Sequence, residues 1–527
     1  MSAPPAETLL GRLAWRARAD SNGEAFVFAG RAWTYGEVWA GIERFAGHLL
    51  ELGLERGARV VIAIPNGPEF FTTFYGVQLC AAVAVPVSPA SGAGRLANIA
   101  RRCSASLVVA SAPAVAAAVS QLVDLRVIAA TVPLASATHV AFPALDPQTV
   151  AYLQYTSGSS GEPKGVQITH ANVIANIEQM IAGMEITEDE IFLSWLPVHH
   201  DLGLVLLTMT PFYLGSRLIL LPTSLRDVRR WLSQIGVHRA TFTAAPDFAY
   251  RLALRSVAGN AAKYDLSSLR VAVNGSEPVR ASTLEEFKRV FNLGDVMAPA
   301  YGLAESTVGV SMWRLGVAAK IDARGFPSVG GSFPGVEVAI LGASDLLGPN
   351  EEGEIVVKSA ANTLGYWRDE ETSAELFHRG QYLRTGDLGY LDEEGDLFVV
   401  GRRKNIIIQA GRNIAPSEVE EMIESFPYVR SSAAVGIDRG RSEGEQVYAF
   451  VELRGRKTLP REDLRHMVVE ITHYVRAELG LGLGRLYLVA PRTIPLTHNG
   501  KVRHAELKRR YLDGTLKSSG ALLFPQY

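Results

Sequence analysis

Apolar positions in the early part of the chain follow helical and strand periods in turn. Residues 34–54 carry apolar side chains at helical spacing, and the β-branched run at residues 59–64 reads as a buried strand. The alternation continues to residue 130, and a short strand follows at residues 150–154. Strands separated by helices predict a mainly parallel α/β fold.

The pattern changes twice further along. Residues 353–358 and 396–401 read as strands of an antiparallel region. Near Arg402 a β-branched strand is followed by Pro416, which opens a helix with acidic residues in its first turn. We therefore expect a large, multi-subdomain α/β domain over residues 1–402 and a small α+β domain over residues 403–527.

The balance of charges excludes several function classes. The 527 residues include 52 lysines and arginines against 54 aspartates and glutamates, a net charge of −2. Such a balance gives no general reason to bind nucleic acid or an anionic membrane. Cys80 and Cys103 stand in apolar company, which predicts buried, reduced thiols, and the N-terminus lacks a signal-peptide pattern. Since no apolar stretch is long enough to span a bilayer, these features predict a cytoplasmic protein.

A glycine- and hydroxyl-rich stretch at residues 155–166 is the first candidate for chemistry. It follows the strand at residues 150–154, and a helical pattern begins after Thr169. Backbone N–H groups and hydroxyls of such a loop can surround an anion. The ending of a Walker loop is missing, and a Gly/Ser stretch on its own is more often a flexible connector. The predicted anion-binding residues are Thr156, Ser157, Gly158, Ser159, Ser160, Gly161 and Lys164.

Three further segments carry side chains suited to a nucleotide. Tyr301 beside Gly302 can lie flat on a purine, and Glu305 can hold Mg²⁺ between phosphates. Asp387, in a Thr-Gly-Asp turn, can accept hydrogen bonds from two vicinal hydroxyls. Lys501 follows Asn-Gly near the C-terminus, where it can extend from a turn into another domain. Taken singly these are ordinary turns and a solvated lysine, so their order along the chain carries the argument.

These segments, in this order, resemble the motifs of the adenylate-forming enzymes: acyl-CoA synthetases, fatty acyl-AMP ligases, luciferases and peptide-synthetase adenylation domains. The resemblance extends from about Leu9 to Tyr511. It implies a large N-terminal domain and a mobile C-terminal lid, which rotates between acyl-AMP formation and thioester formation. The chain is most similar to fatty acyl-AMP ligases, which share alanine at the position of Ala304 and resemble it around His200 and Asp247.

The resemblance also implies residue roles. Lys501 would bridge the substrate carboxylate and the α-phosphate, with His200 near that carboxylate, and Glu305 and Thr156 would hold Mg²⁺. A metal site at His199 and His200 is not predicted, because adjacent residues rarely converge on one ion. The remaining implied contacts are Gly411, on the pantetheine path, and the nucleotide-binding residues Gly275, Ser276, Glu277, Tyr301, Gly302, Thr307, Asp387 and Arg402.

Two departures from fatty acyl-AMP ligases bear on the acyl acceptor. The chain between Val308 and Pro334 is too short for the segment that those ligases insert, which is thought to hold the lid away from its CoA-using orientation. Its absence favours CoA as the acceptor. The hinge position, usually aspartate, is Asn405, which keeps size and hydrogen bonding but loses charge.

The resulting prediction is an acyl-CoA synthetase, an AMP-forming ligase that uses ATP, Mg²⁺ and coenzyme A on a lipophilic carboxylic acid. One alternative is an enzyme restricted to one half-reaction, either making acyl-AMP for an acyl carrier protein or thioesterifying an acyl-AMP made elsewhere. The other is a non-catalytic acyl or nucleotide sensor, against which the intact Lys164, Glu305, Asp387 and Lys501 argue. Both a monomer and a homodimer are compatible with the sequence.

Overall fold

The first part of the chain follows the predicted alternation. The computed structural model describes residues 7–122, 124–130, 140–157, 163–223, 227–409, 412–438, 445–455, 459–480, 482–497 and 501–525. Helix α2 begins where the side chains of Thr34 and Glu37 accept hydrogen bonds from each other's backbone N–H groups. The elements are α1 (Leu9–Ala19), β1 (Glu24–Phe28), β2 (Arg31–Thr34), α2 (Tyr35–Glu51), β3 (Arg59–Ala63), α3 (Pro68–Leu79), β4 (Val83–Pro86), α4 (Ala93–Arg102), β5 (Leu107–Ala110), α5 (Pro113–Ser120), β6 (Arg126–Ala129), β7 (Val150–Ser157) and β8 (Pro163–Thr169).

The middle of the chain repeats the strand–helix order. Helix α6 starts with a second capping pair, Thr169 and Asn172, and a π-helix occupies Leu202–Met209. The elements are α6 (His170–Gly183), β9 (Ile191–Ser194), α7 (Thr210–Leu214), β10 (Arg217–Leu220), α8 (Val228–His238), β11 (Phe242–Ala245), α9 (Asp247–Ser256), β12 (Val271–Asn274), α10 (Ala281–Phe291), β13 (Met297–Tyr301) and β14 (Ser311–Met312).

Two large sheets result from these elements. One has six strands in the order β6-β5-β3-β4-β7-β8, and the other has eight in the order β14-β13-β12-β11-β9-β10-β1-β2. Strands β13, β12, β11, β9, β10 and β1 pair in parallel, as do β6, β5, β3, β4 and β7. The predicted parallel α/β class is confirmed.

The antiparallel region predicted after residue 330 is also present. Strands β15, β16, β18, β17 and β19 form a sheet of five in which every pairing is antiparallel. Its elements are β15 (Val336–Leu341), β16 (Gly353–Ser359), α11 (Glu370–Glu375), β17 (Phe377–His378), β18 (Tyr382–Leu391) and β19 (Leu397–Arg402).

We refer to residues before 403 as the large lobe and to those from 403 onward as the small lobe; this boundary stays a prediction. Among the described strands, those of the small lobe pair only with one another, in sheets of two and four. Five side chains from both sides of the boundary, Phe326, Phe398, Val400, Ile406 and Ala415, share an apolar cluster. The small-lobe elements are β20 (Ile407–Gln409), β21 (Arg412–Ile414), α12 (Pro416–Glu424), β22 (Val429–Asp438), β23 (Glu445–Leu453), α13 (Arg461–Leu479), β24 (Arg485–Val489), α14 (His504–Leu512), α15 (Thr515–Ser518) and β25 (Leu522–Phe524).

The structure differs from the sequence prediction in three places. The glycine-rich stretch is the tip of a hairpin, because β7 extends to Ser157 and residues from Pro163 onward return as β8. The apolar run after Asp201 is a π-helix. The strand expected at residues 405–408 begins later, since Arg403–Asn405 form a 3₁₀ turn. No helix among the described residues combines the length and apolar character needed to cross a membrane.

A buried amide joins the two large sheets. Asn66 follows β3, and its Nδ2 donates to the carbonyls of Leu196 (2.8 Å) and Leu221 (3.0 Å). Its Oδ1 accepts from the backbone N–H of Val198 at 3.0 Å. These partners follow β9 and β10, so one side chain satisfies three backbone groups beside the carboxyl ends of strands from both sheets.

We predict that Asn66→Ala lowers the free energy of unfolding by about 2 kcal/mol or more, because it leaves buried backbone groups without partners. The shift in the urea midpoint measures the loss. The matched control is Gln381→Ala at an exposed turn, for which a change within about 0.5 kcal/mol is expected. Equal midpoints for the two variants would contradict the bridging role.

Candidate active site

The carboxyl ends of β9, β11, β12 and β13 lie side by side in the eight-stranded sheet. His200 follows β9, the triplet of Gly275, Ser276 and Glu277 follows β12, and Tyr301 ends β13. Ligands of open parallel sheets bind at this edge, where successive strand ends leave a crevice. The fold thus brings these predicted residues together along one edge of the eight-stranded sheet.

The Asp387 carboxylate contacts two side chains. Tyr301 Oη donates to its Oδ2 at 2.7 Å, and Arg402 Nε lies 2.8 Å from its Oδ1. Arg402 also donates from Nη1 to the carbonyl of Thr385 at 3.0 Å. Burial raises the pKa of the Asp387 carboxyl, and the contacts with Arg402 and Tyr301 oppose that rise. The predicted purine-facing tyrosine, ribose-binding aspartate and second ribose contact therefore form one group.

Glu305 is held by a residue that the sequence did not single out. It lies in the 3₁₀ turn Ala304–Ser306, and Tyr366 Oη donates to its Oε1 at 2.9 Å. Burial and then the charge of Glu305 raise the pKa of Tyr366, so the phenol stays protonated as a donor. The ammonium of Lys164 lies 4.9 Å from the centre of the Tyr366 ring. Lys164 and Glu305 are thereby brought to two sides of one tyrosine.

Lys164 also has partners from a distant segment. Its Nζ donates to Thr372 Oγ1 at 3.1 Å and lies 3.7 Å from the carboxylate of Asp369. Thr156 is its neighbour across the β7–β8 hairpin, and Ser157 pairs with Pro163. The predictions for Gly158, Ser159, Ser160 and Gly161 fall outside the described residues, as does that for Gly411.

A tight turn follows Tyr301 and explains the glycine beside it. A Cβ on Gly302 would come within 1.7 Å of the carbonyl oxygen of Val308. Thr307 has φ +66° and ψ −62°, and the N–H of Val308 donates to the carbonyl of Ser306 across it, which makes a γ-turn. The Thr307 hydroxyl donates to the carbonyl of Ala361 at 2.8 Å, so its predicted nucleotide contact stays a prediction.

Glu277 is a titratable group that follows β12 at this edge. Its carboxylate accepts a hydrogen bond from the backbone N–H of Phe248. Burial, followed by the charge of Asp247, raises the pKa of Glu277 to about 7, although the Phe248 N–H opposes the rise. Ser276 beside it is exposed and has a φ of +69°.

His200 is half-buried at the start of the π-helix. Its carbonyl accepts from the N–H of Leu204 at 2.7 Å, and its ring centre lies 5.2 Å from that of His199. Gln154 of β7 donates to the carbonyl of His199 at 2.8 Å. This contact ties the glycine-rich hairpin to the segment that carries His200.

A small apolar cavity of about 30 Å³ opens beside these residues. Its mouth includes Gly275 and Tyr301, and Phe333 forms part of its wall. The Phe333 ring fits against two glycines, since a Cβ on Gly183 or Gly309 would come within 2.1 Å or 2.9 Å of it. The other apolar lining residues are Met180, Met184, Leu202, Leu206, Val273, Ala300 and Val308.

Lys501 reaches this edge from the small lobe. It is half-buried, its N–H donates to Thr497 Oγ1 at 3.1 Å, and Thr497 N–H donates to its carbonyl at 2.8 Å. Burial raises the pKa values of the carboxyl groups of Asp201, Glu277 and Asp387, and the charge of Lys501 opposes the rise in all three. The charge of Lys501 is therefore close enough to act on carboxyl groups that follow β9 and β12 and on the one in β18.

The sequence analysis missed Tyr366, Thr372 and Asp369. Their contacts with Glu305 and Lys164 join segments far apart in the chain, and no local period marks them. The aromatic pair Tyr366-Trp367 after Gly365 is the signal that was present, since a glycine turn can present an aromatic ring to a neighbouring segment.

A parallel sheet edge with a buried aspartate beside it and a lysine from a second lobe fits an adenylate-forming enzyme. Residues 13–367 match the profile of the family described as AMP-binding enzyme. The chain belongs to that family.

Three relatives illustrate where the chain stands within it. The medium-chain-fatty-acid–[acyl-carrier-protein] ligase JamA of Moorena producens is 32% identical, over 98% of this chain and 97% of the relative. The long-chain-fatty-acid–AMP ligase FadD23 of Mycobacterium tuberculosis is 32% identical, over 86% of both chains. A solved fatty acyl-adenylate ligase structure, from work on the E. coli and L. pneumophila enzymes, superposes with a TM-score of 0.86 at 29% identity, covering 98% of this chain and 99% of the other. The predicted family and fold are confirmed.

We predict that the KM for ATP rises by about threefold or more as the pH increases through 7. The pKa of Glu277 is about 7, so above that pH its carboxylate adds a negative charge at the edge where the triphosphate binds, an effect of roughly 0.6 kcal/mol for a partly screened charge. Steady-state kinetics between about pH 6 and 8 measure the change.

Glu277→Gln should abolish this rise in the KM for ATP, because the amide does not titrate. Glu285→Gln, at an exposed position of α10, is the matched control and should keep the wild-type profile. The assignment fails when the Glu277→Gln enzyme retains the same step in KM.

Proposed function

We propose that this protein activates a fatty acid as its acyl-AMP and passes the acyl group to the thiol of a carrier protein. The observation that carries the proposal is the group formed by Tyr301, Asp387 and Arg402, whose carboxylate lies within electrostatic range of Lys501. Asp387 is suited to the two ribose hydroxyls, and we assign Lys501 to the α-phosphate and the substrate carboxylate.

In the first half-reaction, a carboxylate oxygen of the acid attacks the α-phosphorus of ATP and pyrophosphate leaves. Both reactants are anionic, so the site must neutralise charge as they approach. Lys501 supplies a positive charge between them, and Lys164 supplies another on the hairpin side. The cavity beside Phe333, about 30 Å³, has room for roughly one carbon group next to the carboxylate and not for the whole acyl chain.

Mg²⁺ fits the chemistry of the residues near the hairpin. Tyr366 contacts Oε1 of Glu305, and we assign Oε2 of the same carboxylate, together with the Thr156 hydroxyl, to the ion. Bound there, Mg²⁺ would supply positive charge that offsets the negative charge of the phosphates. Tyr366 keeps the carboxylate oriented for that contact.

In the second half-reaction, a thiolate sulfur attacks the acyl carbonyl carbon and AMP leaves. The mixed anhydride is already activated, so the enzyme needs no nucleophile of its own. The names of the relatives, a carrier-protein ligase and AMP ligases, favour a carrier protein over coenzyme A as acceptor. The short segment between Val308 and Pro334 favours CoA, and it is the observation that keeps CoA as the second candidate.

We predict that Lys501→Ala lowers pyrophosphate–ATP exchange by about a hundredfold or more, the usual cost of losing one charge-stabilising group. Transfer from synthetic acyl-AMP to a thiol should change much less, because acyl-AMP no longer has the free carboxylate that Lys501 is proposed to contact. Lys517→Ala, at an exposed position of the small lobe, is the control. Unchanged exchange in the Lys501→Ala enzyme would contradict the role of Lys501, whereas no exchange in the wild-type protein with any acid tested would favour the non-catalytic sensor.

We predict at least about tenfold more thioester with a holo carrier protein than with CoA at equal concentration, since the preference for an acceptor is a ratio of kcat/KM values. The measurement is thioester formed from a radiolabelled fatty acid, ATP and each acceptor. A yield with CoA that equals or exceeds the yield with the carrier protein would establish CoA as the acceptor.

A further inference from the structure

Helix α12 of the small lobe turns an acidic face toward the large lobe. Glu418, Glu421 and Glu424 are spaced by three residues, which places them on one side of the helix. Glu418 lies 3.2 Å from the guanidinium of Arg324, and Glu421 accepts from Ser282 Oγ at 2.9 Å. The face is thus in contact with the large lobe along its whole length.

Glu424 makes the most buried of these contacts. Its Oε2 lies 2.6 Å from Nη1 of Arg251 and 2.9 Å from Nη1 of Arg280, and its side chain is 8% exposed. Its Oε1 accepts from the N–H of Ser432 at 2.9 Å, which orients the carboxylate from within the small lobe. Burial alone would raise the pKa of Glu424, yet Arg280 and Arg251 outweigh it and the pKa is lowered.

The same two arginines contact Asp247, which is 1% exposed at the start of α9. Arg251 Nε donates to Asp247 Oδ2 at 3.0 Å, and the backbone N–H of Arg280 donates to its Oδ1 at 3.3 Å. Asp247 Oδ1 also accepts from Asn274 Nδ2 at 3.1 Å. Asn274 precedes Gly275, so the buried charges connect the small lobe to the strand end expected to border adenine.

We propose that Glu424, Arg251, Arg280 and Asp247 form a lobe latch that holds the small lobe in the orientation for acyl-AMP formation, with Glu424 as the positioning residue. Rotation of the small lobe would separate Glu424 from both arginines. The ion pairs therefore favour the orientation that places Lys501 at the strand ends, and they act where the chain lacks the inserted segment of fatty acyl-AMP ligases. This inference rests on the proposed function for its role in the two half-reactions.

The first test measures lobe position without any activity. Cys80 and Cys103 are buried, so cysteines introduced at the exposed positions Gln381 and Lys517 can be labelled with a donor and an acceptor fluorophore. In the labelled protein, Glu424→Gln should broaden the distribution of distances between the lobes relative to the parent. Glu478→Gln, on the exposed side of α13, is the matched control and should leave the distribution unchanged.

The second test separates the half-reactions. For Glu424→Gln we expect the kcat of pyrophosphate–ATP exchange to fall about tenfold with little change in the KM for ATP, the scale expected when one partner of a buried charge pair is removed. Transfer from synthetic acyl-AMP to a carrier thiol should stay equal or become faster. Arg280→Gln should give the same shift, and the double variant should add little to it, because both changes open one latch.

The outcomes distinguish the latch from the function on which it rests. An unchanged distance distribution in Glu424→Gln overturns the latch, whatever the kinetics. An equal loss of both half-reactions also overturns it, since that result marks a purely structural role. A broadened distribution in a protein that exchanges no pyrophosphate with any acid tested supports the latch while the proposed function fails.

Discussion

The contact of Asp387 with Tyr301 and Arg402 joins three parts of the molecule. Tyr301 ends a strand of the eight-stranded sheet, Asp387 lies in the antiparallel sheet, and Arg402 stands at the boundary between the lobes. A buried carboxylate is stable only when it is paired and hydrogen-bonded. The two partners meet that need, and in doing so they fix the relative positions of the sheets and of the segment that leads into the small lobe.

The site is rich in carboxylates, although its proposed substrates are anions. Asp201, Glu277 and Glu305 follow strands of the eight-stranded sheet, and Asp387 contacts Tyr301 from the antiparallel sheet. A triphosphate can bind there only when positive charge outweighs them. Because Lys501 is supplied by a separate lobe, the charge balance of the site depends on the orientation of that lobe. The electrostatic potential of the site is thus set by the position of the small lobe.

Much of the fold could be predicted from the sequence, because apolar periods fix strands and helices locally. The parallel sheets, the antiparallel region after residue 330 and the helix that Pro416 opens in the small lobe followed from such patterns. The β7–β8 hairpin did not, since Pro163 to Thr169 mixes proline, glycine and polar residues and owes its strand form to pairing with β7. The π-helix did not either, because a wholly apolar run shows no period.

The residues of the candidate site also fall into those that the sequence predicts and those that it does not. Lys164, Glu305, Asp387 and Lys501 could be found because each lies in a short motif with its own chemistry. Tyr366 could not, because its importance lies in a hydrogen bond to Glu305, 61 residues away in the chain. The sequence predicts the acidic first turn of α12. The contacts of Glu418, Glu421 and Glu424 with the large lobe are tertiary contacts that no local pattern predicts.

The fit of the Phe333 ring against Gly183 and Gly309 has a consequence for the cavity that the ring lines. Phe333 and Gly309 line that cavity together with Gly275 and Tyr301, and Gly183 lies against the same ring. A side chain at either glycine would have to displace the ring, because its Cβ would come within 2.1 Å or 2.9 Å of it. The shape of the cavity is therefore shared between segments remote in the chain, so a mutation at Gly183 can alter a cavity that this residue does not itself line.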